Sequence, residues 1–207
     1  MIKYNRNIFD NIDSSEKAYW LGFITADGYV HKNKHMLRIK IGKRDEEHLI
    51  KFINFIGGDI SMLKYEIHSI TKNKNCYVSL YSKEITNALY KLGIFQAKSG
   101  KERIPNINQK YIVDFIRGLW DGDGFIRENL TGIGLVGSYE ILSFVQCFFN
   151  KSMDCKILKI YSHCNIYKIE YRNKKDIKNI LSLLYENSCI YLNRKYDLFC
   201  SLKDMLD

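Results

Sequence analysis

The period of the apolar positions along this chain changes in a regular order. After Asp13-Ser14-Ser15-Glu16, which has the form of an N-cap with an acid three residues on, the residues Tyr19, Leu21, Phe23 and Ile24 predict a helix closed by Gly28. From Met36 to Ile41 the period drops to two, with Leu37, Ile39 and Ile41 on one face and Arg38 and Lys40 on the other. That pattern predicts a half-buried strand with a basic outer face. A helix capped by Asp45 then runs through Leu49, Ile50, Phe52 and Ile53 to Gly57-Gly58, followed by strands over 60–69 and 76–81 and a helix over 82–92. The second half repeats the rhythm. A helix ends at Gly124, Phe125-Ile126-Arg127 and Gly132 to Gly137 form a hairpin, and Ser138 caps a helix through Leu142, Phe144, Val145 and Phe148. Strands over 156–161 and 167–172 follow, then a helix with Ile177, Ile180, Leu181 and Leu184, and a last helical segment with Tyr196, Phe199 and Leu202. Each half reads α-β-β-α-β-β-α. The polar stretch 98–109, with the single proline, Pro105, is expected to link residues 1–97 to residues 110–207.

The repeat is sharpest in two short stretches, Trp20-Leu21-Gly22-Phe23-Ile24-Thr25-Ala26-Asp27-Gly28 and Ile116-Arg117-Gly118-Leu119-Trp120-Asp121-Gly122-Asp123-Gly124. Asp27 and Asp123 lie 96 residues apart in a chain of 207, close to half its length. Small residues fall four apart in each copy, Gly22 with Ala26 and Gly118 with Gly122, so each predicted helix has one face along which another backbone can approach closely. A glycine within a helix costs about 1 kcal/mol relative to alanine, which a close helix-helix contact would offset. Both acids stand at helix C-termini, where the macrodipole disfavours an anion by about 0.3 to 1 kcal/mol. Helices packed side by side would add like-charge repulsion between them. A hard divalent cation shared by the two carboxylates and nearby carbonyl oxygens reverses both penalties. An EF-hand reading of Asp121-Gly122-Asp123-Gly124 fails, because Gly132 stands where that loop needs its glutamate.

Charge adds a partner. Lys and Arg total 32 against 23 Asp and Glu, giving +9 and a pI near 9.1, a balance suited to a polyanion such as nucleic acid. The six cysteines show no CxxC pair and no histidines at zinc spacing, which reads as reduced thiols in a cytosol-like compartment. No apolar targeting segment or bilayer-length run is seen, so residence in the cytoplasm or an organelle matrix, away from membranes, is expected.

The two stretches resemble the signature motifs of the LAGLIDADG homing endonucleases, in the single-chain form that carries both, and the αββαββα order extends the resemblance over essentially the whole chain. It implies an α+β fold with a pseudo-two-fold axis: two antiparallel four-stranded sheets forming a DNA-binding saddle, with the motif helices packed at the centre. It also implies that Asp27 and Asp123 bind catalytic metal, with the carbonyls of Ala26 and Gly122 assisting. Thr25 and Asp121 occupy the position before, which orients rather than ligates, and the first copy departs from the family there.

The resemblance further implies two or three Mg²⁺ ions, replaceable by Mn²⁺, and basic groups beside them. Lys40 and Arg172 are the first candidates for those catalytic groups, with Lys98 and the Arg194-Lys195 pair behind them. The residues expected to contact DNA are Arg38, Lys40, Lys43, Lys98, Arg127, Lys168, Arg172, Arg194 and Lys195. The implied activity is that of a monomer cutting both strands of a long double-stranded DNA site, in intron homing. An intron RNA maturase on the same scaffold, with its own intron RNA as partner, is the alternative, and a DNA-binding regulator without catalysis is a third reading.

Overall fold

The computed structural model describes residues 3–95, 104–127, 131–163 and 166–206, with the backbone alone at 163 and 202–206. The first half runs α1 (Ser15–Asp27), β1 (Gly28–His31), β2 (Met36–Gly42), α2 (Glu46–Phe55), β3 (Lys64–Ile67), β4 (Lys74–Tyr81) and α3 (Lys83–Lys91). The second runs α4 (Ile112–Asp123), β5 (Gly124–Ile126), β6 (Ile133–Gly137), α5 (Tyr139–Met153), β7 (Tyr161–His163), β8 (Ile166–Tyr171) and α6 (Lys174–Tyr185), with α7 (Asn193–Leu206) after it. Two antiparallel four-stranded sheets result, ordered β1-β2-β4-β3 and β5-β6-β8-β7. The α+β architecture is the expected one.

Several elements differ in detail. Ser14 rather than Asp13 caps α1: its hydroxyl accepts from the Lys17 N–H at 3.2 Å, while Asp13 pairs with the Lys17 ammonium at 2.9 Å. Asp45 precedes α2 without a side-chain cap bond, because its carboxylate accepts from Arg194 Nε at 3.0 Å. β1 follows the motif helix with no intervening turn. The strand expected over 60–69 shrinks to β3, since Asp59 accepts from the Ser61 N–H and starts a 3-10 turn at Ile60–Met62. Residues 156–160 are not a strand: Gln146 Oε1 accepts from the Leu158 N–H at 2.9 Å and Asn150 donates to the Cys155 carbonyl at 2.9 Å, so α5 side chains take backbone groups that a sheet would use. Of the expected linker, residues 98–103 lie outside the described residues, and 104–108 form no helix or strand.

Each sheet buries one face. Leu37, Ile39, Val78 and Leu80 pack under Leu49, Phe52, Ile85 and Leu89 in the first half, and Leu135 and Ile169 pack under Leu142, Val145, Phe149 and Ile177 in the second. Period two then turns Arg38, Lys40, Tyr77 and Ser79 outward on the first sheet, and Phe125, Lys168 and Glu170 outward on the second. No helix among the described residues is long and apolar enough to cross a membrane, and Cys76, Cys147, Cys155, Cys189 and Cys200 form no disulfide.

Candidate active site and nucleic-acid face

The two motif helices meet along the faces that the small residues mark. A Cβ built on Gly22 would overlap the Phe115 carbonyl oxygen and stand 3.0 Å from the Leu119 nitrogen. One built on Gly118 would overlap the Tyr19 carbonyl and stand 2.7 Å from the Phe23 nitrogen. The contact is thus backbone on backbone, and glycine alone fits it.

At the C-terminal ends of the helices the same approach brings the acids together. A Cβ on Gly122 would overlap the Ala26 Cβ and lie 3.3 Å from Asp27 Oδ2. The carboxylate that ends one helix therefore lies against the penultimate residue of the other, next to Asp123. Both acids are half-buried. Among the described residues no group of three or more His, Cys, Asp or Glu side chains can hold a metal ion, so a cation here would draw on two carboxylates and on backbone carbonyls such as those of Ala26 and Gly122.

Asp121, the neighbour of this pair, is 1% exposed. Its carboxylate accepts from Tyr19 OH, Tyr185 OH and the Leu192 N–H, each at 2.7 Å. Burial raises its pKa above the ordinary carboxylate value, and the Lys195 ammonium and these donors oppose that rise. Burial, with Asp121 second, lifts both tyrosines well above the ordinary phenol range. Tyr19 OH also meets His48 Nε2 at 3.0 Å, and His48 is kept neutral by burial, its pKa pulled down to about 3. Thr25, at the matching place in α1, donates to the Leu21 carbonyl of its own helix at 2.8 Å.

Lys195 departs from expectation. It is 3% exposed, so it does not reach a DNA surface. Its ammonium donates to the carbonyls of Trp120, Asp121 and Gly124, capping the end of α4 that carries Asp123. Burial draws its pKa down to about 8, opposed by the negative charges of Asp121, Asp27 and Asp123. Its charge is thus felt by both acids. A spacing hints at this in the sequence: Lys195 follows Asp123 by 72 residues and Lys98 follows Asp27 by 71, although Lys98 lies outside the described residues.

The other basic candidates divide by register. Gly28 pairs with Ile39, so Lys40 stands one step beyond, level with Asp27, and its ammonium meets Glu66 at 3.0 Å. In the second sheet Gly124 pairs with Leu135 and Leu135 with Ile169, which puts Lys168 level with Asp123. Arg172 lies four residues further along from Lys168, roughly 13 Å at the rise of a strand, and so does not stand beside the acids. Arg172, Lys168 and Arg127 all pair with Glu170 on the outer face. Arg38 lies over the Tyr77 ring at 4.8 Å and donates to Ser79 Oγ at 2.9 Å, beside a hollow of about 560 Å³ that Arg6 and Lys64 also line. Lys43 sits over Tyr65 at 5.4 Å, and Tyr65 pairs with Cys76 on the helix-covered side of the sheet, opposite Arg38 and Lys40. Arg194 is tied to Asp45 across the two halves.

No family model matches the sequence. Among solved structures, the chain superposes over 91% of its length on 90% of the LAGLIDADG meganuclease I-AabMI bound to uncleaved DNA, with a TM-score of 0.55 and 11% identity. The chain has the LAGLIDADG fold. The same fold covers 91% of the chain and 89% of the homing endonuclease I-GzeII in complex with its DNA target, with a TM-score of 0.56 and 15% identity. It also covers 97% of the chain and 67% of full-length DUF199/WhiA from Thermatoga maritima, with a TM-score of 0.59 and 14% identity. In sequence, an alignment over 135 positions that covers 61% of the chain is 25% identical to glutamine-fructose-6-phosphate aminotransferase [isomerizing] of Methanocaldococcus jannaschii, and the match spans 12% of that protein's length. The LAGLIDADG fold puts the two glycine-faced helices at its centre, where the acids meet.

Proposed function

We propose that this protein is a site-specific double-strand DNA endonuclease in which Asp27 and Asp123 together hold divalent metal. The observation that carries this reading is the Asp27 carboxylate lying against Gly122, beside Asp123, at the joint C-terminal ends of α1 and α4. Two carboxylates and the carbonyls of Ala26 and Gly122 are hard oxygen donors, the set that suits Mg²⁺ and accepts Mn²⁺. Bound metal supplies charge neutralisation at the scissile phosphate and a lowered pKa for the attacking water. The chain's own residues position it. Asp121 fixes the end of α4 through its three donors, and Lys195 caps the same turn while its positive charge offsets the acids. Arg38, Lys40, Arg127, Lys168 and Arg172, turned outward on the two sheets, face a duplex laid across them. The occurrence of this fold in two proteins bound to DNA supports duplex DNA as the partner.

The test is digestion of a duplex library with Mg²⁺. Asp27→Asn and Asp123→Asn should each lose cleavage by on the order of 10³-fold, the equivalent of the several kcal/mol that a metal contributes, while retaining DNA binding. With roughly six to ten phosphates contacted, affinity should fall by about 10³ to 10⁵ between about 50 and 200 mM salt. A folded variant that loses binding along with cleavage, or a flat salt response, counts against the reading. Stimulation of intron splicing without DNA scission would reassign the scaffold to RNA.

A further inference from the structure

The outer face of the second sheet carries a carboxylate where a phosphate-binding surface has no use for one. Glu170 Oε1 accepts from Arg127 Nε at 2.8 Å and from Arg172 Nε at 3.0 Å, and Oε2 meets Lys168 Nζ at 2.7 Å. The Phe125 ring lies beneath, with Lys168 Nζ 4.7 Å and the Arg127 guanidinium 5.7 Å from its centroid. Gly134, directly opposite Glu170, leaves the space that Phe125 fills. By register the same place in the first sheet is held by Ser79, opposite Arg38. The acid on that sheet's outer face, Glu66, stands on the edge strand and meets Lys40, so the three-cation cluster belongs to the second half.

The Glu170 side chain is 12% exposed and Arg127 meets both of its oxygens, so the cluster helps to hold the sheet. Yet the three cations around the acid are 26%, 46% and 73% exposed and open to a partner. Duplex DNA changes the balance. Phosphates and guanine edges compete for the three cations and draw them from Glu170, and a carboxylate left unpaired in an interface is costly. In the major groove the groups able to compensate it are the amino donors of cytosine N4 and adenine N6. An arginine fork beside that acid matches guanine O6 and N7, the partner of cytosine, whereas thymine offers one acceptor and a methyl group.

We propose that Glu170, with Arg127 and Arg172, is a specificity-determining cluster that reads one C·G pair in the half-site under the second sheet. The proposal rests on the DNA-binding reading above. Glu170 takes the cytosine amino group, and one of the two guanidinium groups takes the guanine edge. Phosphate-only binding is suppressed because it leaves the acid without a donor.

The test is selection of a randomised duplex library by binding, without catalytic metal, followed by sequencing of the retained DNA. Wild type should show a C·G preference at one position of that half-site. Glu170→Ala should reduce that preference by roughly tenfold and raise affinity for unselected duplex. Glu170→Gln, isosteric and so protected against misfolding, should move the preference towards adenine, which pairs two-fold with glutamine. Preferences in the other half-site should stay as they are. An unchanged preference profile in both variants overturns the proposal and leaves the endonuclease reading standing. Absence of any sequence preference in wild type removes both.

Discussion

Thr25 and Asp121 stand at the same place in the two motif helices, yet the hydroxyl of the first donates back into its own helix while the carboxylate of the second anchors its helix to the rest of the molecule. Thr25 Oγ1 returns to Leu21 within α1. Asp121 gathers Tyr19 from the other half, Tyr185 from α6 and the Leu192 N–H ahead of α7. Around it, Arg117 donates to the Ile190 and Leu184 carbonyls, and Lys51 of the first half donates to the Tyr191 carbonyl and to Asn193. The residues on the helix-helix contact itself show no such difference, since Gly22 and Gly118 each admit a backbone. A duplicated unit must keep the surface that its two copies share. Residues beside that surface diverge, and here the second half acquires both the buried anchor and, on its outer sheet face, Glu170.

Substitutions at the matched positions should tell the two helices apart. Asp121→Asn removes a buried charge from its ammonium and hydroxyl partners and should cost about 3 to 5 kcal/mol in urea unfolding, by far the larger effect of the two matched positions. Gly22→Ala and Gly118→Ala should each cost about 1 to 3 kcal/mol, and by similar amounts, because in both the new Cβ meets backbone rather than a movable side chain. Unequal losses there would show that the helices are not matched in packing. Thr25→Ala should cost less than Asp121→Asn, about 1 kcal/mol, the scale of a neutral hydrogen bond.

pH probes the outer face of the second sheet. The Arg127 guanidinium foremost, with Lys168 and Arg172, holds the Glu170 carboxyl down to about 2 from its ordinary 4.5, against the opposing effect of burial. A depressed carboxyl stabilises the fold above its ordinary value and loses that contribution as pH falls from about 4.5 towards 2. Carbon-detected NMR titration should place the midpoint near 2 in wild type and move it upward in Arg127→Ala.

Much of the site was legible because it depends on local pattern. Asp-Gly after an apolar helix, twice, with small residues four apart, carries the fold, the helix contact and the meeting of Asp27 with Gly122. Alternation from Leu37 to Ile41 likewise foretold the outward face of Arg38 and Lys40. What escaped depends on distant partners. A strand of four residues fused to a helix, β1, gives too few positions for a period to declare itself. Residues 156–160 have the alternation of a strand, but Gln146 and Asn150 intercept their neighbours' backbone groups. Lys195 reads as one surface cation among many until the end of α4 is placed against it. Arg172 was expected near the acids, yet the register of β8 carries it away and leaves Lys168 level with Asp123.

If, as proposed, each half contributes one carboxylate to a shared metal site, electron paramagnetic resonance of bound Mn²⁺ will report it. The measurement is made on wild type, Asp27→Asn and Asp123→Asn, each with the duplex that library selection retains. Wild type should give a bound-Mn²⁺ signal that either substitution weakens. Unaltered Mn²⁺ binding in both variants would rule out a site shared by Asp27 and Asp123.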